Sequence, residues 1–229
     1  MKSMILNHYC GKRMAVVRNG EATKLSIDYV CWPERYDERP EVVAELKHDG
    51  EALWISYRVS GQDLRGEVAE DFGKICTDSC CEFFCRPAGA IDYQNYEINC
   101  IGYLTASERR ARKVNVRYRS PEQMARIERF APLGRQPIGE RPGLQQWEVG
   151  LRIPFDLLFP DGIEPIELDG KNVLLLEANF YKCADKAPHP HYLSWNPIRL
   201  PAPNFHCPEF FGLLIIELTT KTTLSNTRL

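Results

Sequence analysis

The chain has 229 residues, 44% of them hydrophobic and 26% charged, with a formal net charge of −2. That composition excludes a disordered chain, and the near-neutral balance gives no general attraction to nucleic acid or to an anionic membrane. No apolar run is long enough to span a bilayer, and His8, Lys12 and Arg13 break the amino-terminal segment before a secretory core can form.

In chain order, residues 22–32 (ATKLSIDYVCW) have the β-branched and aromatic content of a first strand. EVVAELKHDG and EALWISYRVS predict a hairpin, because Asp49-Gly50 suits the positive φ of a tight turn. In its second arm Leu53, Ile55, Tyr57 and Val59 share one face, and Trp54, Ser56 and Arg58 the other. Residues 60–79 carry glycines and acids without periodicity and are expected to form a long surface loop. CCEFFCRP and YQNYEINCIGYLTAS follow as two strands, with Glu82 and Phe84 opposed to Phe83 and Cys85. KVNVRYR alternates, with Val114, Val116 and Tyr118 inward and Lys113, Asn115, Arg117 and Arg119 forming a basic outer face.

Ser120, Pro121 and Gln123 open one short helix of the capping-box kind, continued by Met124, Ile127 and Phe130 at helical spacing. Residues 131–145 are an irregular, proline-rich connection, Trp147 to Ile153 a strand, PFDLL a helical turn and residues 159–172 another loop. Leu174, Leu176, Ala178 and Phe180 then alternate with Glu177, Asn179 and Tyr181. This strand feeds a loop stiffened by Pro188, Pro190 and Pro197 that carries His189, His191, Tyr192 and Trp195. LLIIEL is a last strand buried on both faces. The pattern predicts an all-β fold: a two-sheet antiparallel β-sandwich, immunoglobulin-like or jelly-roll-like, with one short helix. It forms a single domain over residues 1–229, with its core at about residues 22–219.

Nine cysteines are an odd count, and Cys81 and Cys85 alternate with Phe83 as small core residues rather than as a disulfide framework. The expected location is therefore cytoplasmic, or periplasmic or secreted if a signal peptide has been removed. Glu82, Glu97 and Glu177 lie on three predicted strands, and a facing pair is what a glycosidase requires, although outward acids are usually solvated. Cys183, His189, His191, His206 and Cys207 are zinc-type donors without the usual spacing. Residues 67–71 offer oxygen donors for calcium but no EF-hand pattern. The basic run around Arg117 suits either a polyanion or solvent. No nucleophile elbow, Walker loop or dinucleotide fingerprint is present.

TDSCCEFF, YQNYEINCIG, WEVGLRIPF, LLLEANFYKC, YLSWNP and NFHCPEFFG occur in this order between about residues 32 and 218. In this the chain resembles the family 9 carbohydrate-binding modules and their DOMON-like relatives. The resemblance implies a β-sandwich that binds a mono- or oligosaccharide without cutting it, the ring clamped between two tryptophans. It also implies that Trp195 is one wall and Glu82 a hydroxyl-binding acid, with Asn179 and Tyr181 beside the loop and the basic residue drawn from Arg109, Arg110 or Arg112. The other wall falls on Cys76, so that either another aromatic, Phe72 or Tyr93, replaces the lost ring or this member binds something else. No cofactor is expected, calcium being the metal that such modules use where one is present. The alternatives are a hydrolase using paired carboxylates on the same scaffold, and a protein or anionic-glycan interaction module. Neither nucleic acid nor membrane is an expected partner, and the oligomeric state stays open.

Overall fold

The computed structural model describes residues 9–218. Its first half contains β1 (Met14–Arg18), β2 (Thr23–Ser26), β3 (Tyr29–Val30), β4 (Glu41–His48), β5 (Ala52–Gly66), β6 (Cys80–Pro87), β7 (Tyr93–Asn99) and β8 (Leu104–Arg109). Then come β9 (Arg117–Tyr118), α1 (Pro121–Ala125), β10 (Glu128–Phe130), β11 (Gly139–Pro154), α2 (Phe155–Leu158) and β12 (Ile166–Leu168). The last elements are β13 (Lys171–Cys183), β14 (Tyr192–Ser194) and β15 (Gly212–Glu217).

Two sheets form a sandwich. The larger runs β1-β15-β13-β6-β7-β8-β9, with β12 and β14 also on β13 and β3 on β14; the smaller runs β10-β11-β5-β4-β2. Ile55, Tyr57 and Val59 from the small sheet meet Phe83, Tyr96, Leu176 and Phe180 from the large one in a common core. The small sheet alternates between buried and exposed residues because its other face meets water: Ile55 is buried and Trp54 is exposed. The large sheet is buried on both faces in β6, because Cys80, Phe84, Tyr93 and Tyr181 pack outward beneath Trp32, Ile75, Ile198, Phe205 and Phe211. Loops that blanket an outer face are what make a site possible there.

Several expectations are corrected by the ladders. β1 precedes the first predicted strand and pairs parallel with β15, the one parallel pairing in an otherwise antiparallel large sheet. Residues 60–66 are not loop; they continue β5 along β11, with a register shift between Arg141 and Leu144. YQNYEINCIGYLTAS divides into β7 and β8 because Asn99 starts a turn: Gly102 N–H donates to its carbonyl and Tyr103 N–H to its side-chain oxygen.

Asp49-Gly50 does join β4 to β5, with only Gly50 at positive φ while Asp49 Oδ1 accepts the Glu51 and Ala52 N–H groups. The second Asp-Gly, hidden in the predicted loop, is the two-residue turn with both residues at positive φ, Asp169 at 52° and Gly170 at 73°, joining β12 to β13. The basic strand shrinks to β9. Tyr118 faces solvent, while Arg119 is buried and donates to the Leu157 carbonyl. The helix keeps its predicted cap, Ser120 and Gln123 bonding reciprocally, but stops at Ala125, so that Phe130 lies in β10. No helix among the described residues is long and apolar enough to cross a membrane.

Candidate functional site

On the outer face of the large sheet, a cavity of about 110 Å³ is lined by β6, β7 and the loops flanking β14. Its floor is Glu82 and Glu97, register partners on β6 and β7, next to Cys183 at the end of β13. Its walls are Tyr192 and Phe205, with Cys76, Asp185, Asn204, His206 and Arg112 around the mouth. Phe205 is held by Tyr181, whose ring stacks on it at 4.2 Å and whose hydroxyl donates to its carbonyl. Tyr192 is braced edge-on by Tyr36 and Trp32.

Two carboxyls opposite each other on neighbouring strands cannot both ionise cheaply. Burial, then the adjacent Glu97, raises Glu82 well above the usual carboxylate range. Burial raises Glu97 to about 7 against the opposing pull of Arg109 and a hydrogen bond from Asn95. A chain of bonds sets its orientation: Arg109 donates to Ser107, Ser107 to Asn95, and Asn95 Nδ2 to Glu97 at 2.7 Å. Burial, then the charges of Arg109 and Arg112, lowers the His206 pKa to about 3, so that it is a neutral ring bonded to Tyr93 Oη at 2.8 Å.

Folded Glu97 therefore keeps its proton at pH values where an unfolded carboxyl, near 4.5, has lost it. This contribution to stability is complete below about pH 4.5 and is lost as the pH rises through about 7. Buried His191 and His206 act in the opposite direction, favouring the fold as the pH rises through 6.5. The difference between the wild type and Glu97→Gln reports on the interacting Glu82–Glu97 pair: urea titrations should show the wild type losing on the order of 2 kcal/mol relative to the variant between pH 4.5 and 7. Parallel profiles would show that Glu97 ionises normally in the fold.

Of the site residues named from sequence, Cys76 and Glu82 line the cavity. Trp195 does not. Tyr181 pairs with Ser194, and the Trp195 N–H donates to the Phe180 carbonyl, so Trp195 shares the core face with Phe180 while Tyr192 shares the cavity face with Cys183. Its ring meets Phe180 edge-on at 5.8 Å and is only 3% exposed. The wall is thus supplied by Tyr192, three residues earlier, and by Phe205.

Asn179 is fully buried and ties down the next loop, accepting the Asn196 N–H and donating to the Asn196 carbonyl. Tyr181 acts from behind Phe205. Arg109 holds the Arg112 carbonyl, Arg110 pairs with Asp92, and Arg112 is the arginine at the cavity. Neither proposed replacement aromatic is a wall: Phe72 packs on Tyr118, and Tyr93 is buried.

Of the zinc donors picked from sequence, Cys183 and His206 line the cavity and the other three lie apart. His191 accepts from Lys182 Nζ at 2.7 Å, His189 pairs with Asp63, and Cys207 donates to the Asn204 carbonyl. The role of Lys182 was not foreseen. It is 1% exposed, with its ammonium also on the Cys183 carbonyl and over the Trp147 ring, and so it anchors the loop that leads into β14. Phe205, Asp185 and Asn204 were the missed lining residues, whereas Tyr192 is in the proline-stiffened loop singled out from sequence and Arg112 is one of the three arginines left open. The signal for Phe205 and Asn204 was the presence of NFHC among the ordered strings, and Asp185 lay in none of them.

A sandwich with loops covering one sheet, and a cavity of aromatic walls over paired carboxyls, has the architecture of a β-sandwich with a small-molecule pocket. The sequence profile of carbohydrate-binding family 9 matches residues 13–216, and the chain belongs to that family. It is accordingly a carbohydrate-binding protein rather than an enzyme. A candidate carbohydrate-binding protein from Bacteroides uniformis ATCC 8492 is 31% identical, with a TM-score of 0.80 over 90% of this chain and 100% of that one. Two structures of a family 9 module from Caldicellulosiruptor kristjanssonii, one with cellotriose and one with glucose, also match. They are 11% and 10% identical, each with a TM-score of 0.49, over 95% and 91% of this chain and 100% and 98% of theirs. No curated protein matches the chain.

Proposed function

We propose that the cavity over β6 and β7 binds one saccharide ring, free or at the end of an oligosaccharide. The observation that carries this reading is the meeting of two aromatic side chains, Tyr192 and Phe205, with the carboxyls of Glu82, Glu97 and Asp185 and the guanidinium of Arg112 around one cavity. The C–H groups of a sugar ring pack on the aromatic walls, and its hydroxyls donate to the carboxyls and accept from the arginine. A protonated Glu82 is also a hydroxyl-like partner, able to donate as well as accept. The single ring follows from the cavity's size, about 110 Å³, and from its closure at the back by the strand floor.

Isothermal titration with glucose, cellotriose and a panel of other mono- and oligosaccharides tests the site. Phe205→Ala should weaken binding about tenfold to a hundredfold, the effect of losing one apolar wall. Trp54→Ala, on the exposed face of the other sheet, should leave it unchanged. Equal affinity in Phe205→Ala and wild type would move the site elsewhere on the fold.

A further inference from the structure

The floor of the cavity also brings two sulfurs to Glu82, and hydroxyl recognition requires neither of them. Cys80 and Cys183 are direct partners across the β6–β13 ladder, and Glu82 follows Cys80 on the same face. The two sulfurs and a carboxylate oxygen all lie within 4.8 Å of one another, and all three residues are buried. Glu82 Oε1 is 3.1 Å from Cys183 Sγ and 3.9 Å from Cys80 Sγ. Metal–sulfur bonds of about 2.3 Å and metal–oxygen bonds of about 2.1 Å place the donors of a tetrahedral site roughly 3.5 to 3.8 Å apart. The three donors therefore sit close to a coordinating arrangement before any metal arrives, on two central strands that cannot readily move apart.

The chemistry of the set narrows the ion. Two thiolates and one carboxylate suit zinc and its borderline-soft relatives, whereas calcium and magnesium take oxygen ligands. The carboxyl also lacks a strong partner. Glu82 is 3% exposed, accepts hydrogen bonds from two thiols, and forms no ion pair among the described residues. Thiols are weak donors and cannot hold a buried carboxyl ionised, whereas a bound metal ion would. Glu82 and Cys183 both line the cavity, so a fourth coordination position would open toward its contents.

We propose that Cys80, Glu82 and Cys183 form a binding site for one thiophilic divalent cation of the zinc class, with its fourth position facing the cavity. Of the zinc donors picked from sequence, Cys183 alone takes part, and the histidines do not. The assignment shares Glu82 with the proposed saccharide site but is tested without a sugar, so that its failure and the failure of that reading are told apart.

The full chain, kept reduced with a phosphine, is titrated with cobalt(II) as a spectroscopic stand-in for zinc. The expected result is saturation at about one equivalent, with thiolate-to-cobalt charge-transfer absorption in the near ultraviolet and intense tetrahedral ligand-field bands that zinc abolishes. Cys80→Ser and Cys183→Ser should each weaken the charge-transfer band, while Cys85→Ser, on the core face of β6, should keep it. Glu82→Gln leaves both thiols in place and should lower cobalt affinity at least about tenfold, a readout that stands even if a core serine disrupts folding. No charge-transfer band in the reduced wild type, or an unchanged affinity in Glu82→Gln, would overturn the assignment.

Discussion

Trp195→Ala should destabilise the folded chain by about 3–5 kcal/mol, the cost of truncating a large aromatic residue in a packed core. The ring is enclosed on all sides. It packs edge-on to Phe180, and it runs over Gly212 so closely that a Cβ there would lie 2.6 Å from Trp195 Cζ3 and 2.5 Å from the Arg13 carbonyl oxygen. The glycine is therefore the space into which the indole fits, and no neighbour can fill the hole that alanine leaves without moving β15 or β1. Saccharide affinity per folded molecule should change little, because the ring lies on the opposite side of the sheet from Tyr192 and Phe205. Urea denaturation gives the first quantity and titration of the remaining folded protein the second. A loss of less than about 1 kcal/mol together with abolished binding would instead put the ring in the cavity.

The second large effect is expected at Asp78, a carboxylate with no exposed surface. Its Oδ2 accepts three bonds, from the Glu67 and Val68 N–H groups at 3.0 and 2.8 Å and from Asn99 Nδ2 at 2.9 Å, and Arg65 lies 3.5 Å from its other oxygen. One side chain thus ties the end of β5, the segment that carries Cys76 and the turn between β7 and β8. Asp78→Ala strands all of these donors at once and should cost about 3–5 kcal/mol in chemical denaturation. Amide exchange should accelerate at Glu67 and Val68, and sugar affinity should fall as the Cys76 edge of the cavity loosens. Asp78→Asn keeps one acceptor oxygen and should cost less. An alanine variant with wild-type stability would mean that water replaces the carboxylate without penalty.

What could be read from the sequence was whatever period two encodes. The faces of β5, β6 and the first part of β13 follow from Leu53 to Val59, from Glu82 against Phe83, and from Leu174 to Phe180, because alternation is local. Ser120 and Gln123 likewise announce their own cap. What was not legible depends on partners distant in the chain. MAVVR becomes a strand only because β15 offers it an edge, and Arg119 turns inward because the Leu157 carbonyl awaits it. Trp195 was misjudged through parity: prolines and aromatic residues in a loop do not reveal which side of β13 the chain will rejoin, and a shift of one residue exchanges wall for core. The cavity itself draws on β6, β7 and two distant loops, so that Glu82 was identifiable from its string and Phe205 was not.

The parallel pairing of β1 with β15 also bears on solubility. β15 is GLLIIE, a short stretch of high β-propensity with one charge, and β1 occupies the backbone edge that β13 leaves free. Such a segment with unpaired N–H and C=O groups is a template for intermolecular strand addition. Met14 to Arg18 therefore act as a built-in sheath against fibril-like self-association, one that is completed only when two segments nearly a whole chain apart have met.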